Sequence, residues 1–300
     1  MQSQPSVVSS QPAPVVAGHP KGQRRFLTHL WRGTWGYAIL AALTILFVAP
    51  FYWMLVTALK SDTQLFALPP AWTANPPSWE NFRRVFQEVP FGRYILNSAL
   101  LVTLNVVGQL FSTTLVAYGF ARLRFPGRGI LFLILLATLM IPSQVTLVPQ
   151  FILFARLGWV NTYLPLVVPA FTGSAFLVFL LRQYMMTIPL DLDEAAIIDG
   201  ANRWQILWHV ILPLSAPALI LVMVFTFVDV WNDFMGPLVY LNDPNLFTVS
   251  LGLSFFQGAR ETSWNLLMAG ALMSMVPPIV LFFFAQRHLL GGISTVGIKG

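Results

Sequence analysis

Eleven carboxylates, four histidines and no cysteine are the whole stock from which this 300-residue chain could build a reactive centre. Without cysteine there is no disulfide, no thiolate nucleophile and no zinc–sulfur site. His19, His29, His209 and His288 share no metal-ligand spacing with one another or with a carboxylate. No Gly-x-x-x-x-Gly-Lys-Ser/Thr loop occurs, so the chain cannot itself cradle ATP phosphates. No catalytic residue and no metal site is expected. The acids gather instead in one stretch, PLDLDEAAIIDGANRWQILWHVILP, from Pro189 to Pro213.

The acids there are spaced for helix ends. Asp191 is a good N-cap, and Glu194 follows at the spacing of a capping box. Asp193 adds negative charge to the same first turn, where the helix dipole favours it. The helix is expected to run through Ala195, Ala196, Ile197 and Ile198 and to stop at Gly200, which enters left-handed geometry without penalty. Trp204, Leu207, Trp208 and Ile211 then repeat as one apolar stripe of a second helix. Asn202, Gln205 and His209 line another side, and Pro213 is expected to end it. The residues alone allow two readings of this helix–turn–helix: a connector lying at the membrane surface, or a docking element.

What must position it is a membrane bundle. Hydrophobic residues make up 56% of the chain and charged residues only 9%, against about 25% charged in a soluble domain. Mean hydropathy is +0.70. Six apolar stretches, near 35–59, 94–121, 129–155, 162–182, 215–239 and 264–286, are long enough to cross about 30 Å of hydrocarbon. The fold class is all-α, a polytopic bundle of six transmembrane helices. Residues 1–25, rich in Pro, Ser and Gln, are expected to be a disordered tail without the apolar core of a signal peptide. Residues 26–300 form the membrane domain, with 189–213 as its inner element. Proline at 142, 165, 169, 277 and 278 predicts kinked spans.

Basic residues set the orientation. One set of loops and ends holds Lys21, Arg24, Arg25, Arg32, Arg122, Arg124, Arg128, Arg182, Arg203, Arg287 and Lys299. The other holds only Lys60, Arg83, Arg84, Arg93, Arg156 and Arg260. The richer side, with both termini and the 189–213 element, is expected to be cytoplasmic. These charges sit beside spans and not on one face, which argues against nucleic acid. On the outer side, Ser78 is expected to cap a short amphipathic helix, with Trp72, Trp79, Phe82 and Phe86 at the interface.

Polar residues inside the spans mark a candidate path. Asn105, Gln109 and Ser112 fall on one helical face, and Gln144 lies in the third span. Such a face must meet protein or a water-filled cavity, because lipid offers no hydrogen bonds. It either packs on a partner helix or lines a solute path. Asp229 and Asp233 are the deepest acids; they are either functional or close to water, capping a broken helix.

Glu194-Ala195-Ala196, Asp199-Gly200-Ala201 and Val210-Ile211-Leu212-Pro213 together resemble the EAA signature of bacterial ABC importer permeases. Val210 stands where the pattern has its first Ile. The resemblance covers the chain beyond its first thirty or so residues. It is closest to the carbohydrate-uptake branch, the second permease subunit of maltose-type systems. Trp231-Asn232-Asp233-Phe234 with Pro237-Leu238 is similar to a further pattern of that family.

The resemblance implies the type I ABC importer permease fold in a bacterial or archaeal cytoplasmic membrane. It implies coupling to an ATPase through Glu194, Ala195, Ala196, Asp199, Gly200, Ala201, Arg203 and Pro213. The implied partners are a second permease, an ATPase dimer, an extracytoplasmic solute-binding protein, a sugar and membrane lipid. ATP and Mg would sit on the ATPases, and no cofactor on this chain. The loop at 242–263 would reach toward the binding protein, and the C-terminal GGISTVGIKG toward the ATPases. Permeases of this kind also carry other small polar solutes such as glycerol phosphate. An ion-coupled secondary transporter is the more distant alternative, since no acid lies near mid-membrane and no internal repeat is seen. Because the tail lacks an apolar face, a chain starting near Gln23 is expected to insert, assemble and take up solute as the full chain does, measured by uptake at matched membrane levels.

Overall fold

The structure is a computed structural model that describes the backbone of residues 22–258 and 262–294, and the side chains of 35–258 and 262–286. Most of the expected tail and residues 295–300 at the C-terminal end lie outside the described residues. Among the described residues there is no strand, only one isolated bridge between Gln257 and Thr262. Four helical stretches are long and apolar enough to cross a membrane: Trp35–Ala58, Phe91–Arg122, Leu164–Thr187 and Trp264–Gln286. Two further pairs of helices would each make one bent span, which gives the six expected from hydropathy.

The first helix, α1 (Gly22–Ala58), begins inside the stretch read as tail. Its residues up to Trp53 form a unit by themselves, and from Trp35 onward that stretch is apolar on every side, as lipid requires. The second unit begins at Met54. The short helix α2 (Glu80–Glu88) turns Asn81 and Val85 inward and leaves Trp79 and Phe86 exposed. Ser78 does not cap it. Its backbone N–H instead donates to Leu59 O at 2.7 Å, and the helix starts one residue later than the pattern predicts. Asn81 is fully buried, and its Nδ2 donates to Ala58 O and Lys60 O, both at 2.8 Å. These are carbonyls that the end of α1 leaves open.

The central column is α3 (Phe91–Arg122), 32 residues and about 48 Å long at 1.5 Å per residue. The third span is broken. Helix α4 (Arg128–Ala137) tightens into a 3₁₀ turn at Thr138–Met140, and α5 (Ser143–Arg156) leaves at 98°. Pro142 is the cause: it has no N–H to continue the ladder, and it forces Ile141 into extended geometry. The fourth span is broken as well. After Leu164–Val167 and a 3₁₀ turn at Val168–Thr172, Gly173 takes a φ of +83°, and α6 (Ala175–Thr187) begins.

Then follow α7 (Asp191–Ile198), α8 (Arg203–Ile206), a π turn at Leu207–Ile211 and a short turn at Leu212–Leu214. The chain bends by 78° into α9 (Ala216–Asn232). Helices α10 (Met235–Tyr240) and α11 (Val249–Leu253) precede α12 (Trp264–Ser294). The stretch expected as a long outer loop is thus largely folded. Phe247, Val249, Leu251 and Phe256 are buried in a core with Phe91, Tyr94, Trp231 and Leu266. A second core joins Tyr118, Leu181 and Met185 to Ile206, Leu207, Ile211 and Val222. Each end of the bundle therefore has its own apolar centre.

Asn81→Ala strands Ala58 O and leaves Lys60 O only the more distant Asn265 Nδ2, at 3.3 Å. A loss of about 1–3 kcal/mol is expected, the cost of leaving buried polar groups unpaired. It should read as a lowered thermal unfolding midpoint of the purified protein in detergent, with Asn81→Asp also destabilised because it cannot donate.

Candidate functional site

Two features gather the residues singled out in the sequence: the 189–213 element at one end of the bundle, and a cleft within it. The element is built around a buried charge. Arg122, in the last turn of α3, donates from Nη2 to Met185 O at 2.7 Å and to Ile188 O at 2.8 Å. Those carbonyls belong to the frayed end of α6, where a helix leaves acceptors unpaired and favours a cation. Arg122 Nη1 stands 3.6 Å from Asp193 Oδ1, with both side chains almost wholly buried. Asp193 Oδ1 accepts no hydrogen bond, so attraction to Arg122 is what compensates it. Nearby, Tyr118 donates its hydroxyl proton to Arg203 O at 3.1 Å, and Arg182 Nε donates to Phe120 O while its guanidinium covers the Phe132 ring.

The turn matches its expectation and the caps do not. Gly200 has a φ of +86°, and Ala201 N–H closes back on Ala196 O at 2.9 Å. Asp191, however, is the first residue inside α7, and Leu190 precedes it without a side-chain cap. Glu194 therefore makes no capping box. That device appears one turn later, where Asn202 Oδ1 accepts Gln205 N–H at 3.0 Å and Gln205 Oε1 accepts Asn202 N–H at 2.8 Å. Asn202 and Gln205 thus hold the start of α8, where the sequence suggested only a polar stripe.

The predicted apolar stripe also divides. Leu207 and Ile211 are buried with Ile206, while Trp204 and Trp208 are exposed. The π turn rotates the register within this stretch, and Pro213 lies in the following turn. A proline there needs no donor, and the bend falls at Ser215. The result is a surface. Glu194, Ala195, Asp199, Gly200 and Arg203 are exposed; Ala196 and Ala201 are half-buried. Beside them Ile197, Ile198, Trp204 and Trp208 present apolar area, Ile198 at 84% exposure. Acids, one cation and bare isoleucine and tryptophan thus share one exposed surface.

The polar face of α3 splits between two roles. Ser112 Oγ lies 2.8 Å from Gly108 O and 2.9 Å from Ala170 O, so it packs the broken fourth span against α3 and does not line the cleft. At Gly108 an added Cβ would stand 2.9 Å from the Phe171 ring, which is why the chains can approach there. Gln109 Oε1 accepts the N–H of Ser174 at 3.1 Å, mending the same break. Gln144 is exposed on α5 and does not line the cleft. Asn105 and Gln109 do reach a cleft of about 290 Å³, together with Ser174, Phe176, Phe225, Thr226 and Asp229. Of the two deep acids, Asp233 accepts the N–H of Gly236 at 3.0 Å and so caps the break before α10. Asp229 is exposed into the cleft.

Sequence reasoning missed the Arg122–Asp193 pair. The signal was present, an Arg closing the longest apolar run and an Asp inside the acidic turn, but nothing in spacing pairs residues 71 positions apart. Asp193→Ala leaves Arg122 two carbonyls to bind, whereas Arg122→Met strands an acid and Ile188 O at once and leaves Met185 O only the Ile188 N–H. Breaking a buried pair costs about 3–5 kcal/mol. Thermal unfolding in detergent should therefore fall for both variants, and further for Arg122→Met; the reverse order would remove Arg122 from this role.

The family described as binding-protein-dependent transport system inner membrane component matches residues 113–294. Over 268 residues the chain is 34% identical to the trehalose/maltose transport system permease protein MalG of Thermococcus litoralis, covering 88% of this chain and 95% of that one. It is 33% identical to the sn-glycerol-3-phosphate transport system permease protein UgpE of Yersinia pestis, over 85% of this chain and 92% of the relative. Among solved structures, a bacterial ABC transporter involved in import of the acidic polysaccharide alginate has a chain of the same fold, at a TM-score of 0.74 and 22% identity. The superposed part covers 92% of this chain and 99% of that one.

Proposed function

This chain belongs to the family of binding-protein-dependent transport system inner membrane components, and from that membership we propose that it is one of two membrane subunits of an ATP-driven sugar importer. The observation that carries the reading is the 189–213 element. Its helix–turn–helix is seated on a buried charge at one end of the bundle and presents Glu194, Ala195, Asp199, Gly200 and Arg203 outward beside exposed Ile197, Ile198, Trp204 and Trp208. That surface suits an ATPase subunit, and its attachment to α3 and α6 through Arg122 gives ATPase closure a direct hold on two spans.

In this reading a second permease completes the path, an ATPase dimer binds ATP and Mg, and an extracytoplasmic binding protein delivers the solute. The element and both termini face the cytoplasm, as the charge distribution favours. MalG is named for a trehalose/maltose system, and AraQ of Halalkalibacterium halodurans, 31% identical, for arabinooligosaccharides; both support a sugar. UgpE supports sn-glycerol 3-phosphate as the second reading. Pro213 acts within this scheme as the point after which the docking helix bends into α9.

Glu194 is exposed and caps nothing, so Glu194→Ala is expected to change unfolding by no more than about 0.5 kcal/mol while lowering uptake per ATP hydrolysed severalfold. Gly200→Leu forces a side chain into left-handed geometry at about 1–2 kcal/mol and displaces α8. Ala195→Trp places an indole where the partner must approach. Uptake and ATPase activity in reconstituted complexes test all three. Near-normal coupling in every variant would remove this element from the ATPase interface.

A further inference from the structure

The cleft between α3, α6 and α9 has a chemical character that the import reading leaves undefined. Its walls are Asn105, Gln109, Ser174, Thr226 and Asp229 on the polar side, and Phe176 and Phe225 on the apolar side. The two phenyl rings are each a little under half exposed and meet edge to face at 5.6 Å. No arginine, lysine or histidine lines it. Asp229 is exposed and makes no ion pair among the described residues, whereas Asp233, four residues on, is held by Gly236 N–H and does not line the cleft.

An anion entering here would meet a fixed negative charge with no partner of its own. A phosphate or uronate would be repelled, and nothing in the wall could replace its lost hydration. A neutral sugar meets the opposite situation. Its hydroxyls can donate to a carboxylate and exchange hydrogen bonds with amides and hydroxyls, and its C–H faces can lie on phenyl rings.

We propose that this cleft is a solute subsite for neutral polyhydroxylated molecules, in which Asp229 rejects anionic ones. The assignment rests on the sugar-import reading. Asp229 is a specificity residue here: it accepts hydrogen bonds from sugar hydroxyls and excludes like charge.

The chain has no cysteine of its own, so a single thiol in the cleft can report on it. Ser174 lines the cleft and its side chain caps nothing, which makes Ser174→Cys a near-isosteric probe. In the complete reconstituted complex, its modification would be timed with a trimethylammonium-ethyl and a sulfonatoethyl methanethiosulfonate, following the mass of this chain. The rates would be referred to Gln144→Cys, which is exposed away from the cleft. The cation-to-anion preference of the Ser174→Cys thiol should exceed the reference severalfold, because one unit charge lining the same cleft acts with opposite sign on the two reagents. Asp229→Asn should abolish the excess.

Protection completes the test. Maltose, trehalose, glucose and arabinose would each be added at millimolar concentration, with sn-glycerol 3-phosphate as the anionic probe. At least one neutral sugar should slow modification severalfold, and glycerol phosphate should not. A Ser174→Cys thiol that stays unlabelled, a charge preference unmoved by Asp229→Asn, or protection by glycerol phosphate equal to that by sugar would each overturn the subsite. Import of a neutral sugar without protection by any of them would overturn the subsite and leave sugar import standing. Import of glycerol phosphate alone, with the charge preference intact, would instead overturn the import reading on which the subsite rests.

Discussion

A single guanidinium organises the inner half of this protein. Arg122 ends the longest span, and a guanidinium that is almost wholly buried would be costly without partners. It finds three: the carbonyls of Met185 and Ile188 and the carboxylate of Asp193. Each lies on a different piece of the chain, the end of α6, the turn after it and the start of α7. Satisfying one charge therefore fixes where three segments meet. The second apolar core then closes around that junction, with Leu181 and Met185 against Ile206, Leu207 and Ile211.

The same need for hydrogen-bond partners governs the breaks within the spans. In lipid a free backbone group has no water to turn to, so a broken helix survives only where protein repairs it. Gln109 supplies the acceptor for Ser174 N–H, and Ser112 the donor near Ala170 O. Asp233 accepts from Gly236 N–H at the break before α10. Polar residues that hydropathy marks as interruptions are thus, in part, splints. What remains after the splints are counted is the smaller set that faces open space: Asn105, the rest of Gln109, Thr226 and Asp229.

Rigidity at one surface and openness at another follow from this division. The exposed face of the 189–213 element rests on buried groups that cannot shift without uncovering a charge, and Arg122 ties that element to α3 and α6. The cleft lies between α3, α6 and α9. The exposed face of the 189–213 element and the cleft are in this way attached to the same few spans.

Apolar run length, charge counts and one left-handed glycine were enough to read a six-span α-helical membrane protein, to locate its acidic helix–turn–helix and to make Gly200 the turn. All three signals are local, and that is why they are legible along the chain. Pro142 was legible as a disruption too, though not as one of 98°. The caps were misassigned: Asp191 and Glu194 fit the capping pattern, but the chain enters α7 in helical geometry at Leu190, which leaves no N-cap position for Asp191. Packing in three dimensions was needed to turn Trp204 and Trp208 outward while Leu207 and Ile211 are buried, because a π turn changes the register by an amount no period-3.6 pattern contains. Packing alone also joined Arg122 to Asp193, Gln109 to Ser174 and Asp229 to the cleft. Those pairings connect positions tens of residues apart, and a charge finds its partner through the packing of whole helices, which spacing along the chain does not record.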